Sequence, residues 1–304
     1  MLVSTLKNIA TFFAILILLP FVPLVIHALK KVYSANFDPR AQVGVICIKD
    51  TLYDSAPITK HLHTFFKDPA IKGILLRIDS PGTAAGTAEA LYNEIITLKQ
   101  EYFKPIVTIT ENVCASGAYF IACATDHIVA SPSAIIGSIG TCSPLLNVQL
   151  NDFVEQFKIH YAPLTAGTYK PITDPLANRT PAQTALLHDM LHDSYMNFAT
   201  TVAKTRKLSL ATIDQWADGK IFTGNQALKL GLIDQLGSSS TIIRVIKEKA
   251  LIEGDINWVS TPSTSSWLSK LFGYDCDESQ SLFSSITHTI CNTLEARYMQ
   301  HGLH

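Results

Sequence analysis

The sequence has 304 residues, of which 47% are hydrophobic, and its formal net charge at pH 7 is −1. This length and apolar content suffice for one sizeable core, in one or two domains. The basic residues form no stripe, so a nucleic-acid partner has no electrostatic support. No zinc-type spacing of cysteine and histidine, dinucleotide fingerprint or phosphate-binding loop occurs. We therefore expect no nucleic acid, no metal and no cofactor.

The first feature along the chain is an apolar segment. Residues 8–29 contain no Asp, Glu, Lys or Arg, and about 20 apolar residues suffice for a helix that crosses a bilayer. We predict a transmembrane anchor over 1–31 and a linker over 32–42. Two prolines lie within the segment, which membrane helices tolerate. The alternative is a cleaved signal peptide with a loose cleavage site at Ser34–Ala35.

Strand and helix patterns alternate after the linker and predict one domain over 43–252. Apolar runs predict strands and apolar residues at helical spacing predict helices. The predicted strands are 43–50, 72–79, 105–110, 127–131 and 157–164, and the predicted helices are 57–68, 86–101, the second half of 111–124, about 209–216 and 239–251. A further helix is expected to begin at Pro181, with Thr180 as N-cap and Gln183 closing a capping box. The alternation indicates an α/β fold with a largely parallel sheet.

The remainder of the chain, 253–304, is predicted to be a tail of unknown role that is partly helical. A flexible stretch is expected at 260–266. Cys276 and Cys291 lie in this tail, and they are expected either to pair in an oxidising compartment or to stay free. The other cysteines have apolar or small neighbours and are expected to be buried free thiols: Cys47, Cys114, Cys123 and Cys142.

Two glycine-bearing turns follow two neighbouring predicted strands. One has the sequence Asp-Ser-Pro-Gly and ends at Gly82, and the other has the sequence Ala-Ser-Gly and contains Ser116 and Gly117. Backbone N–H groups at such turns, where a helix begins, are free to bind a developing anion. Each turn alone is typical of a tight strand–helix connection, and a serine among small residues is usually a packing residue. Together the turns have the arrangement that acyl transfer needs, with Ser116 as the candidate nucleophile.

A serine nucleophile needs a base that accepts its proton. His127 and His160 are expected in strands, and neither has an acidic partner in a loop, so neither is favoured. Lys170 lies in the irregular stretch GTYKPITDP. A lysine serves as a base only when it is neutral, which burial favours, and a hydroxyl such as that of Ser138 is a candidate to hold the neutral amine. Without further context, Lys170 is interpreted as a solvated charge and Ser138 as a turn serine.

Four motifs in a fixed order resemble the signal peptide peptidase A family, which belongs to peptidase family S49. The motifs are DSPG, ASGAYFIACATDHIVASPSAIIGSIG, AGTYKPITDP and DGKIFTGNQALKLGLIDQLG, and the resemblance covers about residues 43–250. The family consists of membrane-anchored serine–lysine peptidases, and the chain is similar to its short, single-repeat bacterial form. The resemblance implies a ClpP/crotonase-like spiral of β-β-α units that follows an N-terminal transmembrane helix.

The resemblance also implies roles for individual residues. Ser116 matches the family nucleophile and Lys170 its general base. Ser138 matches the serine that orients the lysine amine, and Gly82 and Gly117 match the positions whose N–H groups form the oxyanion hole. The late motif is interpreted as structural, and its matching residues are Gly219, Gly224, Gly231, Asp234 and Gly237.

The chain departs from the family pattern at two positions near the candidate site. Thr83 and Ala118 stand where the family commonly has glycine. Because the Cβ atom of Thr83 lies next to the oxyanion turn, we expect this residue to narrow the substrate cleft.

The resemblance implies a membrane-anchored serine endopeptidase that hydrolyses remnant signal peptides and other hydrophobic peptides. It further implies a single-pass protein of the bacterial inner (cytoplasmic) membrane, with an extracytoplasmic catalytic domain. Short family members form rings in which the lysine of one protomer serves the serine of its neighbour, and we expect such a homo-oligomer here. The alternatives are a SohB-type peptidase with other clients and an inactive membrane scaffold that binds peptides. A crotonase-like acyl-CoA enzyme would need an acidic pair or an adenine pocket, and the sequence indicates neither.

Overall fold

The structure is a computed structural model that describes residues 19–23, 25, 26, 29, 40–143, 150–159 and 161–260. Most of the predicted anchor, His160 and the tail beyond residue 260 with Cys276 and Cys291 lie outside the described residues. Within the predicted anchor the structure describes a short 3₁₀ helix, Leu19–Phe21. No helix in the described part of the chain combines the length and the apolar character needed to cross a membrane.

The described strands form two sheets. In chain order they are β1 (Ala41–Lys49), β2 (Ile71–Asp79), β3 (Ile106–Thr110), β4 (Val113–Ala115), β5 (Ile128–Ala130), β6 (Ile135–Gly137), β7 (Ile221–Thr223), β8 (Gln235–Leu236) and β9 (Ile256–Ser260). The larger sheet has the order β8-β5-β3-β2-β1-β9, and the smaller one has the order β4-β6-β7. The pairs β1–β2, β2–β3, β3–β5, β5–β8 and β4–β6 are parallel, and β6–β7 is antiparallel. The mixed α/β architecture with a mostly parallel sheet agrees with the prediction.

The described helices alternate with the strands. They are α1 (Ala56–Lys67), α2 (Ala85–Tyr102), α3 (Gly117–Ala122), α4 (Asn151–Gln156), α5 (Pro181–Arg206), α6 (Ile213–Trp216), α7 (Gly224–Lys229) and α8 (Ser239–Lys249). The start of α5 confirms the predicted capping box. The backbone N–H of Gln183 donates to Thr180 Oγ1 at 3.2 Å, and the N–H of Thr180 donates to Gln183 Oε1 at 2.9 Å.

Apolar side chains are buried on both faces of the larger sheet. Leu62 of α1 and Leu91 of α2 belong to the same core as Ile46 of β1. A second cluster joins Ile246 of α8 to Val107 of β3. Because the central strands are covered on both faces, they appear in the sequence as continuous apolar runs rather than as alternating patterns.

The predicted strand over 157–164 is wrong. The structure has the short helix α4 before this position, and a turn and irregular chain follow. Ile159 is 55% exposed and Leu164 is exposed as well. The apolar residues that suggested a strand therefore lie on the surface, with no neighbouring strand in the described part of the chain to pair with.

Two of the four predicted buried thiols are buried. Cys114 and Cys123 lie in the core, whereas Cys47 and Cys142 are exposed, so the prediction was wrong for these two. Successive side chains of a strand point to opposite faces, and Cys47 alternates on β1 with the buried Ile46 and Ile48. Burial raises the pKa of Cys114, and it raises that of Cys123 to about 11, so both stay protonated and unreactive at neutral pH.

Strand β9 lies within the predicted tail. It forms an edge of the larger sheet next to β1, and the first structural unit of the chain runs to Val259. The predicted domain boundary at residue 252 thus precedes a strand that completes the sheet.

Candidate active site

Ser116 lies at the turn between β4 and α3. Its backbone has φ 53° and ψ −132°, a region that side-chain-bearing residues seldom adopt. The N–H of Ser116 donates to Gly137 O at 2.7 Å, and its carbonyl accepts from Phe120 N at 3.0 Å in the first turn of α3. Ser116 is half-buried, and its Oγ has no hydrogen-bond partner among the described residues. A strained, unpartnered hydroxyl at a strand–helix turn is typical of a nucleophile.

Two glycines allow the turns to approach each other. A Cβ atom at Gly82 would lie 3.2 Å from Ser116 Cβ, and a Cβ atom at Gly117 would overlap Thr83 Oγ1. Neighbouring side chains are small and buried, as Ala115 and Ala118 show. The methyl group of Ala118, where the family commonly has glycine, is accommodated in the core. The glycines are therefore needed for close approach of the two backbones.

Ser80 connects the two turns, a role that its sequence context alone does not reveal. Its backbone N–H donates to Val113 O at 2.9 Å, and its carbonyl accepts from Ala115 N at 3.2 Å, so it bridges to β4 just before Ser116. Its side chain is fully buried, and its Oγ donates to Asp50 O at 2.5 Å. A serine directly before Pro-Gly was the available signal, because a buried hydroxyl there must find partners within the turn.

The free N–H groups at the site belong to Thr83 and Gly117. The N–H of Gly82, the predicted donor, points to Ser80 Oγ at 3.2 Å, and its carbonyl accepts from Leu52 N at 3.4 Å. Thr83 N would lie 3.1 Å from a Cβ atom at Gly117. Neither Thr83 N nor Gly117 N has a hydrogen-bond partner within the described residues. These two N–H groups therefore remain available to an incoming oxyanion.

Ser138 lies beside Ser116 at the ends of paired strands. The register of β4 and β6 places Ala115 opposite Gly137, so each serine immediately follows one member of this pair. The N–H of Ser138 donates to Lys220 O at 2.7 Å, next to β7. Ser138 has a positive φ of 52° and is half-buried. Lys220 belongs to the late motif, so the motif helps to fix the backbone of Ser138. This contact agrees with a structural role for the motif.

The described contacts of Lys170 are made within a separate segment. Among the described residues, the hydrogen bonds of residues 161–176 reach partners between 150 and 183. Gln183 on α5 donates to Thr168 O at 2.6 Å, which ties the Lys170 turn to the start of that helix. Lys170 is exposed, and within the described residues no hydrogen bond or ion pair holds its ammonium group. The structure therefore brings Ser116, Gly117, Gly82 and Ser138 together but shows no contact between them and Lys170.

The position of His127 does not suit it to act as a base for Ser116. It directly precedes β5, and its carbonyl accepts from Thr108 N at 2.8 Å. It is thus at the amino end of its strand, whereas Ser116 follows the carboxyl end of β4. Burial lowers the pKa of His127. This position agrees with the sequence-based preference against histidine.

The late motif holds α3 and β5 in place. Asp234 forms two hydrogen bonds with Arg206, each 2.9 Å long, and its carboxylate accepts the N–H of Ile128 at 2.8 Å. Tyr119 of α3 is fully buried, and its hydroxyl donates to Leu232 O at 2.5 Å. A Cβ atom at Gly224 would overlap the carbonyl oxygen of residue 131. These contacts fix the helix that begins next to Ser116.

A serine hydroxyl beside two unpartnered N–H groups has the features of an acyl-transfer site. The hydroxyl can attack a carbonyl, and the N–H groups can stabilise the resulting oxyanion. In the described residues no group of three His, Cys, Asp or Glu side chains is placed to hold a metal ion. The fold and site thus have the features of the serine hydrolase class.

Comparison with known proteins identifies the family. Residues 99–253, just over half of the chain, match peptidase family S49. The chain belongs to this family, as its motifs predicted. The matched region includes Ser116, Gly117, Ser138 and Lys170, whereas Gly82 and Thr83 precede it.

Relatives occur in distant organisms. A protein of Methanocaldococcus jannaschii, provisionally named as a protease, is 34% identical over 60% of this chain and 58% of its own length. A protein of Enterococcus faecium, provisionally named signal peptide peptidase SppA, is 30% identical over 71% of this chain and 63% of its own length. Protease 4 of Salmonella typhi is 30% identical over 61% of this chain and 29% of its own length. The chain thus spans less than two thirds of the length of these relatives.

Proposed function

We propose that the chain is a membrane-anchored serine endopeptidase of the signal peptide peptidase A type, with Ser116 as nucleophile. The observation that carries this proposal is the strained turn at Ser116, where an unpartnered hydroxyl lies beside the free N–H groups of Thr83 and Gly117. Membership of peptidase family S49 supports the reaction class. A ClpP/crotonase-like spiral for the residues around this turn is part of the same proposal.

Ser116 and Lys170 form the proposed catalytic pair. Ser116 Oγ attacks the carbonyl carbon of the scissile bond, and its proton passes to the neutral amine of Lys170. The resulting ammonium then protonates the departing amine, so the peptide bond breaks and an acyl-enzyme remains. Lys170 next takes a proton from water, and the hydroxide adds to the acyl carbon. The bond between that carbon and Ser116 Oγ then breaks, the Lys170 ammonium returns its proton to Oγ, and the acyl group leaves as a carboxylic acid. Ser138, next to Ser116, is proposed to accept a hydrogen bond from the lysine amine.

The N–H groups of Gly117 and Thr83 are the proposed donors to the oxyanion. The N–H of Gly82 is already used by Ser80 Oγ, so we assign Gly82 the role of allowing close approach to Ser116. Replacing the amide by an ester at residue 83 deletes this N–H and weakens Gly82 O as the acceptor of the bond from Leu52 N. We expect kcat to fall by about 10²–10³, chiefly from the lost N–H. The same replacement at residue 82 should have a much smaller effect. The reverse order of effects would restore Gly82 as the donor.

The proposed substrates are remnant signal peptides and other hydrophobic peptides. An extended peptide would lie along the turn at Thr83, where the close approach to Gly117 favours small or apolar residues at the cut. The proposed location is the bacterial inner membrane, with residues 1–31 as a single-pass anchor and the catalytic domain on the extracytoplasmic side. The absence of charged residues over 8–29 supports the anchor.

A ring-shaped homo-oligomer with shared sites is the proposed assembly. Lys170 is exposed and lies on a segment whose described hydrogen bonds stay within 150–183. Burial is what gives a lysine the neutral form that a base requires, and a neighbouring protomer can supply it. The same segment exposes apolar side chains, including those of Phe153, Phe157 and Tyr169. A protomer interface that covers them would also deliver Lys170 to the Ser116 of a neighbour.

Labelling and cleavage together test the proposal. A serine-directed phosphonate should label the full chain at Ser116, and a synthetic signal peptide should be cleaved, both followed by mass spectrometry. Ser116→Ala should abolish both signals. Lys170→Ala should abolish cleavage while Lys229→Ala, which also removes an exposed lysine, should not. Peptide binding without labelling or cleavage would identify a peptide-binding scaffold instead. Cleavage of other peptides but not signal peptides would favour the SohB-type alternative.

A further inference from the structure

The amino edge of the larger sheet carries an open basic pocket. The strands β1, β2, β3 and β5 run parallel, so their amino ends lie along one edge. The pocket has a volume of about 430 Å³ and lies at this edge, since Pro105 directly precedes β3 and Asp126 lies two residues before β5. Its lining residues are Lys99, Phe103, Lys104, Pro105, Asp126 and Lys249. Ser116 follows the carboxyl end of its strand, so catalysis does not explain this pocket.

The pocket retains unused hydrogen-bond donors and positive charge. Lys99 Nζ contacts Asp126 Oδ1 at 2.6 Å and donates to the carbonyl of residue 124 at 2.9 Å. Lys104 Nζ donates to two carbonyls at the end of α1. An ammonium group has three N–H donors, so each of these lysines keeps one. Lys249 is exposed, with no partner among the described residues. Three lysines and one aspartate leave a lining charge of +2.

Two large apolar side chains project next to these lysines. Phe103 follows the end of α2 and is 86% exposed, and Leu251 lies two residues beyond Lys249 and is 88% exposed. Both residues have φ 52°, the left-handed conformation that favours glycine after a helix. Phe and Leu at these positions cost conformational free energy and expose apolar area. Neither the left-handed backbone at a non-glycine residue nor the exposed apolar area favours folding, so a binding role is the better explanation for Phe103 and Leu251.

The chain enters the sheet at this same edge. β1 begins at Ala41, two strands away from β3. The uncharged segment 8–29 ends at residue 29, and only the eleven residues 30–40 separate it from β1. Eleven residues span at most about 40 Å. If the uncharged segment is in a bilayer, the start of β1 lies within this distance of the segment's end.

We propose that this edge docks onto the surface of an anionic phospholipid bilayer. Phe103 and Leu251 enter the headgroup region, while Lys249 and the free donors of Lys99 and Lys104 bind lipid phosphates. Exposed apolar residues among lysines are typical of surfaces that lie on membranes, and each lysine near an anionic surface contributes about fivefold in affinity. This edge, with Phe103, Leu251 and the pocket lysines, is the proposed docking face. The proposal depends on the proposed function in one respect only, namely that the chain is located at a membrane. Docking through this face would keep the candidate active site, which lies at the carboxyl ends of the strands, away from the lipid.

Tryptophan fluorescence in defined bilayers tests the docking face. The full chain with Phe103→Trp is reconstituted in nanodiscs of phosphatidylcholine alone or with phosphatidylglycerol, and the acyl chains carry bromine as quencher. We expect quenching and a blue shift of the added tryptophan in the anionic discs and a smaller effect in the neutral ones. The matched control is Tyr53→Trp, because Tyr53 is 78% exposed and follows the carboxyl end of β1. Equal, weak quenching of both probes in anionic discs would overturn the proposal.

Further substitutions distinguish a loss of docking from a loss of folding or of membrane anchoring. In the Phe103→Trp background, Leu251→Gly and Lys249→Glu should each reduce the quenching in anionic discs severalfold. Leu251→Gly should leave the thermal midpoint the same or higher, because glycine suits the conformation at residue 251. Unchanged quenching in both variants would refute the docking face. Failure of the parent chain to enter any disc would instead refute the membrane anchor of the proposed function, a result that co-purification with discs detects separately.

Discussion

The backbone of Ser116 adopts a strained, high-energy conformation that positions its hydroxyl group. With φ 53° and ψ −132°, its Cβ atom crowds the backbone, and such a residue costs about 1–3 kcal/mol. The hydrogen bonds from Ser116 N to Gly137 O and from Phe120 N to Ser116 O keep the turn in this state. The strain is therefore located at the proposed nucleophile, where function can explain it.

Replacing Ser116 by glycine should make the protein inactive and more stable. Ser116→Gly removes the Cβ atom and should raise the free energy of unfolding by about 1 kcal/mol. Ser116→Ala keeps the Cβ atom and should be inactive without this gain. Urea denaturation of both variants measures the difference. A glycine variant that is no more stable than the alanine variant would show that the turn is not strained in solution.

Thr83 is expected to limit the size of the residue at the scissile bond. Its side chain lies against Gly117 and its Oγ1 donates to Ala84 O at 3.1 Å. Thr83→Gly keeps the proposed N–H donor and opens the cleft. Cleavage of peptides with leucine rather than alanine at the cut should then improve about tenfold in kcat/KM, the scale of a one- or two-carbon change in a pocket.

The control for this prediction is Thr83→Val, which preserves the size of the side chain and should retain the preference for alanine. Equal preference in the wild type, the glycine variant and the valine variant would assign the selection of substrates to other residues.

At the scale of elements, the Arg206–Asp234 pair connects the end of α5 to the late motif. The bidentate contact also caps β5, because Asp234 accepts the N–H of Ile128. Burial alone would raise the pKa of Asp234, but the hydrogen bonds and charge of Arg206 outweigh it and hold that pKa below its usual value. A carboxyl whose pKa is lower in the folded state contributes stability that is lost as pH falls. The loss should begin below about pH 4, the ordinary value for aspartate.

Asp234→Asn should therefore destabilise the fold at neutral pH and flatten its acid sensitivity. Removing the carboxylate of this mostly buried pair leaves the charge of Arg206 without a counter-charge, although its Nε still donates to Gly231 O, at a cost of about 3 kcal/mol. Asp218→Asn is the matched control, because Asp218 contacts Lys220 at 2.7 Å on the surface and should change stability little. Thermal unfolding between pH 3 and 7 measures both effects. Similar losses in the two variants would contradict the structural role of the pair.

At the scale of the whole molecule, α5 connects the core to the segment that carries Lys170. Its second half packs in the core through Phe198 and Val202. Its first half holds the Lys170 turn through Gln183. Nothing in the described contacts returns this turn to Ser116, so a complete site is expected only between protomers.

Complementation in mixed assemblies tests this expectation. Ser116→Ala and Lys170→Ala chains, each inactive alone, are co-expressed with different tags and purified through both tags. A shared site predicts recovered activity, because some neighbouring pairs contain one intact serine and one intact lysine. A site within one chain predicts none, since every chain lacks one member. Light scattering must show that the mixed and wild-type assemblies have the same mass.

The sequence by itself determined the local elements and the identity of the candidate nucleophile. Local rules were enough where neighbouring residues decide the outcome, as at Thr180 and Gln183, whose capping box needs only residues three apart. The apolar runs of β1, β2 and β3 were recognised because burial on both faces requires apolar residues throughout. Ser116 was identified through its small neighbours and its motif.

Only the tertiary structure decided which groups are free to act and where the surfaces lie. Ser80 looked like an ordinary turn residue until its contacts with Asp50 and β4 showed that it engages Gly82 and leaves the N–H of Thr83 free. The stretch 157–164 looked like a strand because its composition says nothing about whether a partner strand is near. Phe103 and Lys249 are 146 positions apart in the chain (249 − 103), and they share a pocket only because parallel strands bring their ends to one edge. These features depend on contacts between residues that are far apart in the chain. A single sequence contains no local signal for such contacts.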